Sequence, residues 1–93
     1  MTDTTAIVAT PNAAKYMTQL CKHWSHRFET ELDDTTGRAQ LPGGTVVFEA
    51  QPDTLKITLH PSSEEACERM KSVVAEHVDR FAFREGPLNY SWT

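Results

Sequence analysis

Glycine, cysteine and basic charge are all scarce in this sequence, and each scarcity excludes something. Four glycines in 93 residues form neither a phosphate-cradling loop nor a dinucleotide fingerprint, and Pro42-Gly43-Gly44 has the composition of a hairpin turn. The two cysteines, Cys21 and Cys67, make no CxxC pair and no secreted framework. They read as reduced thiols of a cytoplasmic protein. Nine Lys and Arg against thirteen Asp and Glu leave a net charge of −4. Without a basic patch to neutralise phosphates, no nucleic-acid partner is expected. No apolar run approaches the roughly 18–20 residues of a membrane span. The opening MTDTTAIVAT has neither the basic region nor the apolar stretch of a signal peptide, so a cytoplasmic chain that engages no membrane is expected.

What the sequence does contain is hydrophobic period. A chain of 93 residues suits one domain, residues 1–93, that buries roughly 60–65% of its unfolded surface. Residues 62–84 run without Gly or Pro until Gly86-Pro87, and Ser62 with Glu65 reads as a capping box. At about 100° per residue, Ala66, Met70, Val73, Val74, His77 and Phe81 share one side of this helix, with Cys67 on the flank. An earlier helix is expected from Thr10 or Asn12 as cap, with Pro11 in its first turn, to about His26. Its core stripe is Ala13, Ala14, Met17, Leu20, Cys21 and Trp24.

Residues 4–10 read as a first strand. Residues 27–32, 38–41, 45–50 and 55–60 alternate with period two between short turn-rich connections, which predicts a four-stranded antiparallel meander. Leu88, Tyr90 and Trp92 alternate once more, as a short last strand or an ordered tail across the core. Each element has one apolar face. The implied architecture is therefore α+β and two-layered, an antiparallel sheet with both helices on one face, in the order β-α-β-β-β-β-α with an optional final β. The opposite sheet face carries Glu29, Glu31, Arg38, Gln40, Val47, Glu49, Lys56, Thr58 and His60. It is polar and of mixed sign, and is expected to be solvated.

Histidine is where chemistry could lie. Cys21, His23 and His26 crowd one short segment, but their spacing matches no zinc pattern and Cys21 projects away from His26, so no metal is expected. His26 suits the negative end of a helix, and Cys21 suits the core. His77 stands in the middle of an apolar stripe, where an unpartnered imidazole costs about 1–3 kcal/mol. A backbone carbonyl or hydroxyl could satisfy it. The sharper alternative is a pocket between the helices in which His77 and His23 face a ligand. Asp33-Asp34 and Glu64-Glu65 fit a turn and a helix first turn, and no Ser/His/Asp order can be defended.

The segments 16–26, YMTQLCKHWSH, and 77–85, HVDRFAFRE, together with Trp92, resemble the bacterial DUF family 2218, over essentially the whole chain. The element order is also close to that of TBP-like folds. The resemblance defines no catalytic or binding residue. It implies an iron-related setting by association, because members are often encoded beside siderophore-interacting flavin reductases and iron-uptake genes. The reading is a small cytoplasmic accessory or ligand-binding protein linked to iron or siderophore metabolism, with His23, His77, Arg80 and Tyr16 as candidate site and Arg80 gripping an anion. Its partner would be a small molecule; no cofactor is called for, and a homo-oligomer is compatible but not predicted. The alternatives are an enzyme using His23 or His77 as acid/base, and a structural or interaction protein with no small-molecule site.

Overall fold

Alternation and helical period produce five strands and two helices in the computed structural model, which describes residues 3–85 and 88–93. In chain order they are β1 (Thr4–Ala9), α1 (Ala13–Trp24), β2 (Thr30–Leu32), β3 (Thr36–Leu41), β4 (Gly44–Ala50), β5 (Thr54–Pro61) and α2 (Glu64–Phe81). The sheet runs β1-β5-β4-β3-β2 with every pairing antiparallel. The meander thus forms as expected. β1 closes its far side, and α1 carries the chain from one sheet edge to the other.

One sheet face is the core. Ala6, Val8, Ala39, Val46, Phe48, Leu55, Ile57 and Leu59 are all essentially buried, and cross-strand partners such as Phe48 and Ile57 share that face. The other face is a ladder of polar pairs, among them Arg38–Glu31 at 3.3 Å and Lys56–Glu49 at 3.7 Å. Both helices lie on the core face. A Cβ at Gly37 would come within 2.7 Å of Cys21 Sγ, so glycine is what lets α1 settle this close to β3. The β3–β4 turn needs glycine for its backbone, since Gly43 has φ 102°.

Several boundaries differ from expectation, for local reasons. The cap of α2 is Ser63, which accepts from the Ala66 amide at 3.1 Å. Ser62 instead donates its amide to the Gly43 carbonyl at 2.7 Å, tying the start of α2 to the β3–β4 turn. Asn12 caps α1 without a side-chain bond, and the Thr10 hydroxyl accepts the Asn12 amide. After Trp24 the chain continues as turns, with the Phe28 amide on the Trp24 carbonyl at 2.8 Å. β2 is therefore only Thr30–Leu32, and Leu32, expected inward, is exposed. In α1, Ala14 is exposed and Tyr16 takes its place in the core.

The most consequential difference is the phase of α2. Its buried line is Cys67, Met70, Val74 and Val78, while Ala66, Val73, His77 and Phe81 are half-buried. Cys67 is therefore central and His77 lies on the flank, because α2 meets the sheet along one line and α1 along another. The tail is not a strand. Thr93 exchanges both backbone hydrogen bonds with Thr5 at the outer edge of β1, and Leu88, Tyr90 and Trp92 pack on the core. The expected break at Gly86-Pro87 lies outside the described residues.

Candidate functional site

The flanks of the two helices that miss the sheet face each other across a cavity of about 320 Å³. From α2, Arg69, Val73 and His77 recur every four residues and so stack along one ridge. From α1 and the turn beyond it come two further i,i+4 pairs, His23 with Arg27 and Trp24 with Phe28. Leu41 and Pro42 close the wall from the glycine-rich β3–β4 turn. The lining is apolar apart from two guanidiniums and two imidazoles, and it includes no carboxylate. Among the described residues no ion pair engages Arg27 or Arg69. In a chain of net charge −4, this is a local positive site.

His77 is paired, as a half-buried imidazole must be. Its Nδ1 lies 2.7 Å from the Val73 carbonyl oxygen. A carbonyl can only accept, so Nδ1 carries the proton and donates, and in the neutral ring Nε2 is left as an acceptor. The ring sits 5.4 Å from Trp24 and 5.6 Å from His23, centroid to centroid. Trp24 is itself stacked on buried Phe48 at 6.2 Å, which fixes this wall to the core. His23 is exposed and meets Phe81 edge-on. Among the described residues no carboxylate orients either of these two rings, and no group of three or more His, Cys, Asp or Glu could hold a metal.

Tyr16 and Arg80 lie elsewhere. They line a separate cleft of about 350 Å³ with Lys15, Gln19, Arg84 and Glu85. There the Glu85 carboxylate accepts a hydrogen bond from the hydroxyl of buried Tyr16 and further bonds from Thr10 and Asn12 at 2.9 and 3.1 Å. The Tyr16 bond, with the other two donors, holds the Glu85 carboxyl below its ordinary range. Burial, and then the bond to Glu85, push the Tyr16 hydroxyl up. The four residues singled out from the sequence thus split into two pairs: His23 and His77 share the cavity, Tyr16 and Arg80 the cleft. The guanidiniums beside the imidazoles are those of Arg27 and Arg69, which the sequence reading passed over. The fourfold spacing 69–73–77 was the available signal.

Both cysteines are buried inside the fold, and burial pushes the Cys21 thiol up, which makes it a poor nucleophile. Asp79 accepts from the Tyr90 hydroxyl at 2.9 Å and from the Leu88 amide at 3.2 Å, so it pins the tail. Burial and Asp79 together push Tyr90 well above the ordinary tyrosine range.

Fold and geometry define a small two-layer α+β domain with an apolar, cation-rimmed cavity between its helices. The chain belongs to the bacterial family described as "Uncharacterized protein conserved in bacteria (DUF2218)", which matches residues 5–93. A similar solved structure is the NMR structure of PA4090 from Pseudomonas aeruginosa, 34% identical in sequence, with a TM-score of 0.84 over 100% of this chain and 96% of that one. No curated protein matches this chain.

Proposed function

We propose that this chain is a small cytoplasmic binding protein for an organic carboxylate with an apolar body. The observation that carries the reading is the cavity itself. It is concave, about 320 Å³ in volume, and its apolar walls come from Trp24, Phe28, Met70 and Val73. Arg27 and Arg69 bring to it two positive charges that have no counter-ion among the described residues. Ligand sites have this make-up, mostly apolar with a few convergent polar groups, and the volume is at the small end of their range. Guanidiniums suit a carboxylate because their fork matches its two oxygens. An accessory role in iron or siderophore handling is the setting that the family resemblance implies.

The test is calorimetric titration with benzoate and its neutral isostere benzamide. Benzoate is expected to bind and benzamide to bind at least about tenfold more weakly, the loss of one charge-assisted hydrogen bond. Equal affinity, or no binding of benzoate or of any ring-substituted benzoate, would overturn the reading.

A further inference from the structure

Beyond its positive charge the cavity offers two imidazoles, and the hydrogen-bonding sense of one of them is fixed. His77 lines the cavity with Nδ1 committed to the Val73 carbonyl at 2.7 Å. Because the carbonyl cannot donate, the neutral ring has a single tautomer available, and Nε2 is its remaining hydrogen-bonding atom, an acceptor. The other polar side chains lining the cavity are His23, whose ring is exposed, and Arg27 and Arg69, which only donate. The rest of the α2 ridge and the facing wall, Val73, Met70, Trp24 and Phe28, is apolar or aromatic.

Resting on the carboxylate-binding reading above, we propose that the ligand class is a hydroxy-substituted aromatic carboxylate. Its carboxylate meets Arg27 and Arg69, its ring lies against the aromatic wall, and its hydroxyl donates to His77 Nε2. The hydroxyl is the specificity element. A ligand that lacks it leaves the half-buried Nε2 without its partner once water is displaced, and such a loss is felt as discrimination. The Val73 carbonyl acts as the positioning group that holds the imidazole in the accepting tautomer, as a second partner does for other functional histidines.

The experiment compares benzoate with 2-, 3- and 4-hydroxybenzoate on the wild-type chain and on His77→Phe, which keeps a flat ring but removes the acceptor. At least one hydroxybenzoate should bind the wild type about five- to tenfold more tightly than benzoate, the value of one hydrogen bond, and the gap should close in His77→Phe. Should that variant fail to fold, the wild-type ¹⁵N signal of His77 Nε2 decides instead: it should shift with the preferred hydroxybenzoate and stay in place with benzoate. Benzoate binding as tightly as every hydroxybenzoate, or an Nε2 signal indifferent to the hydroxyl, would overturn the hydroxyl assignment while leaving carboxylate binding intact. Failure of all four acids to bind would overturn both.

Discussion

The two depressions beside the helices differ in what becomes of their charge. In the cleft of Tyr16, the Glu85 carboxylate is held by three hydroxyl and amide donors of the same chain, so the anion there is internal. In the cavity of His77, two guanidiniums and a ring nitrogen have no such partner among the described residues, and the walls around them are apolar. A chain that satisfies its own polar groups gains rigidity from them. The guanidiniums of Arg27 and Arg69 instead stand solvent-exposed at the rim of an apolar hollow, open to a ligand from outside. The contrast supports the proposal that the second place, and not the first, serves recognition, although the residue types alone, a Tyr and an Arg against two His, suggest no such division.

The largest expected effect falls on the cavity. Replacing Arg27 and Arg69 together by Ala should weaken benzoate binding by roughly 30-fold or more, at about 1.5–3 kcal/mol for a hydrogen bond to a charged group. Unfolding stability should stay within about 0.5 kcal/mol, since both side chains are exposed and neither is ion-paired among the described residues. Chemical denaturation alongside calorimetry checks both halves. Loss of stability without loss of binding would reverse the contrast.

The next effect is the mirror image. Tyr16→Phe should cost about 0.5–1.5 kcal/mol of stability, discounted because Glu85 is exposed, and should leave benzoate affinity within about twofold, less than the value of one hydrogen bond. Its sign with pH is fixed. The Glu85 carboxyl is held below its unfolded value, about 4.3 for glutamate. Its contribution is therefore present above that pH and is lost as pH falls through the folded value. Thermal melts of wild type and variant should converge on acidification, and a difference that persists or grows at low pH would remove Glu85 from the account.

The smallest effect concerns Asp79, another acid satisfied from within. Asp79→Ala should release Tyr90 and Leu88 and speed hydrogen exchange at the Thr93 amide, which bonds to Thr5 at 2.9 Å. Benzoate affinity should not change. Unaltered exchange would show that apolar packing of Trp92 and its neighbours holds the tail without Asp79.

Much of the fold was legible in advance because it depends on short-range pattern. Val46 and Phe48, or Leu55, Ile57 and Leu59, alternate so cleanly that one sheet face had to be buried, and turn residues between them left only hairpins. The candidate site was half legible. His77 stood out because a polar ring on an apolar stripe demands an explanation, His23 because it sits in a short Cys/His-rich segment, and the two do lie side by side. Arg27 and Arg69 did not stand out, because an exposed arginine is ordinary until the fold places a second one across a cavity from it.

By itself, then, the sequence determined the alternating strands, the two amphipathic helices and the single layer of helices over one sheet face, since each is a matter of which side chains share a face within one element. Tertiary structure alone decided the rotation of α2 that moved Cys67 to the centre and His77 to the flank. It also decided the separation of Tyr16 and Arg80 from the histidines, and the meeting of Arg27 with Arg69. A helix with apolar residues on a wide arc can seat any line of that arc on the sheet, and packing against α1, β4 and β5 selects the line.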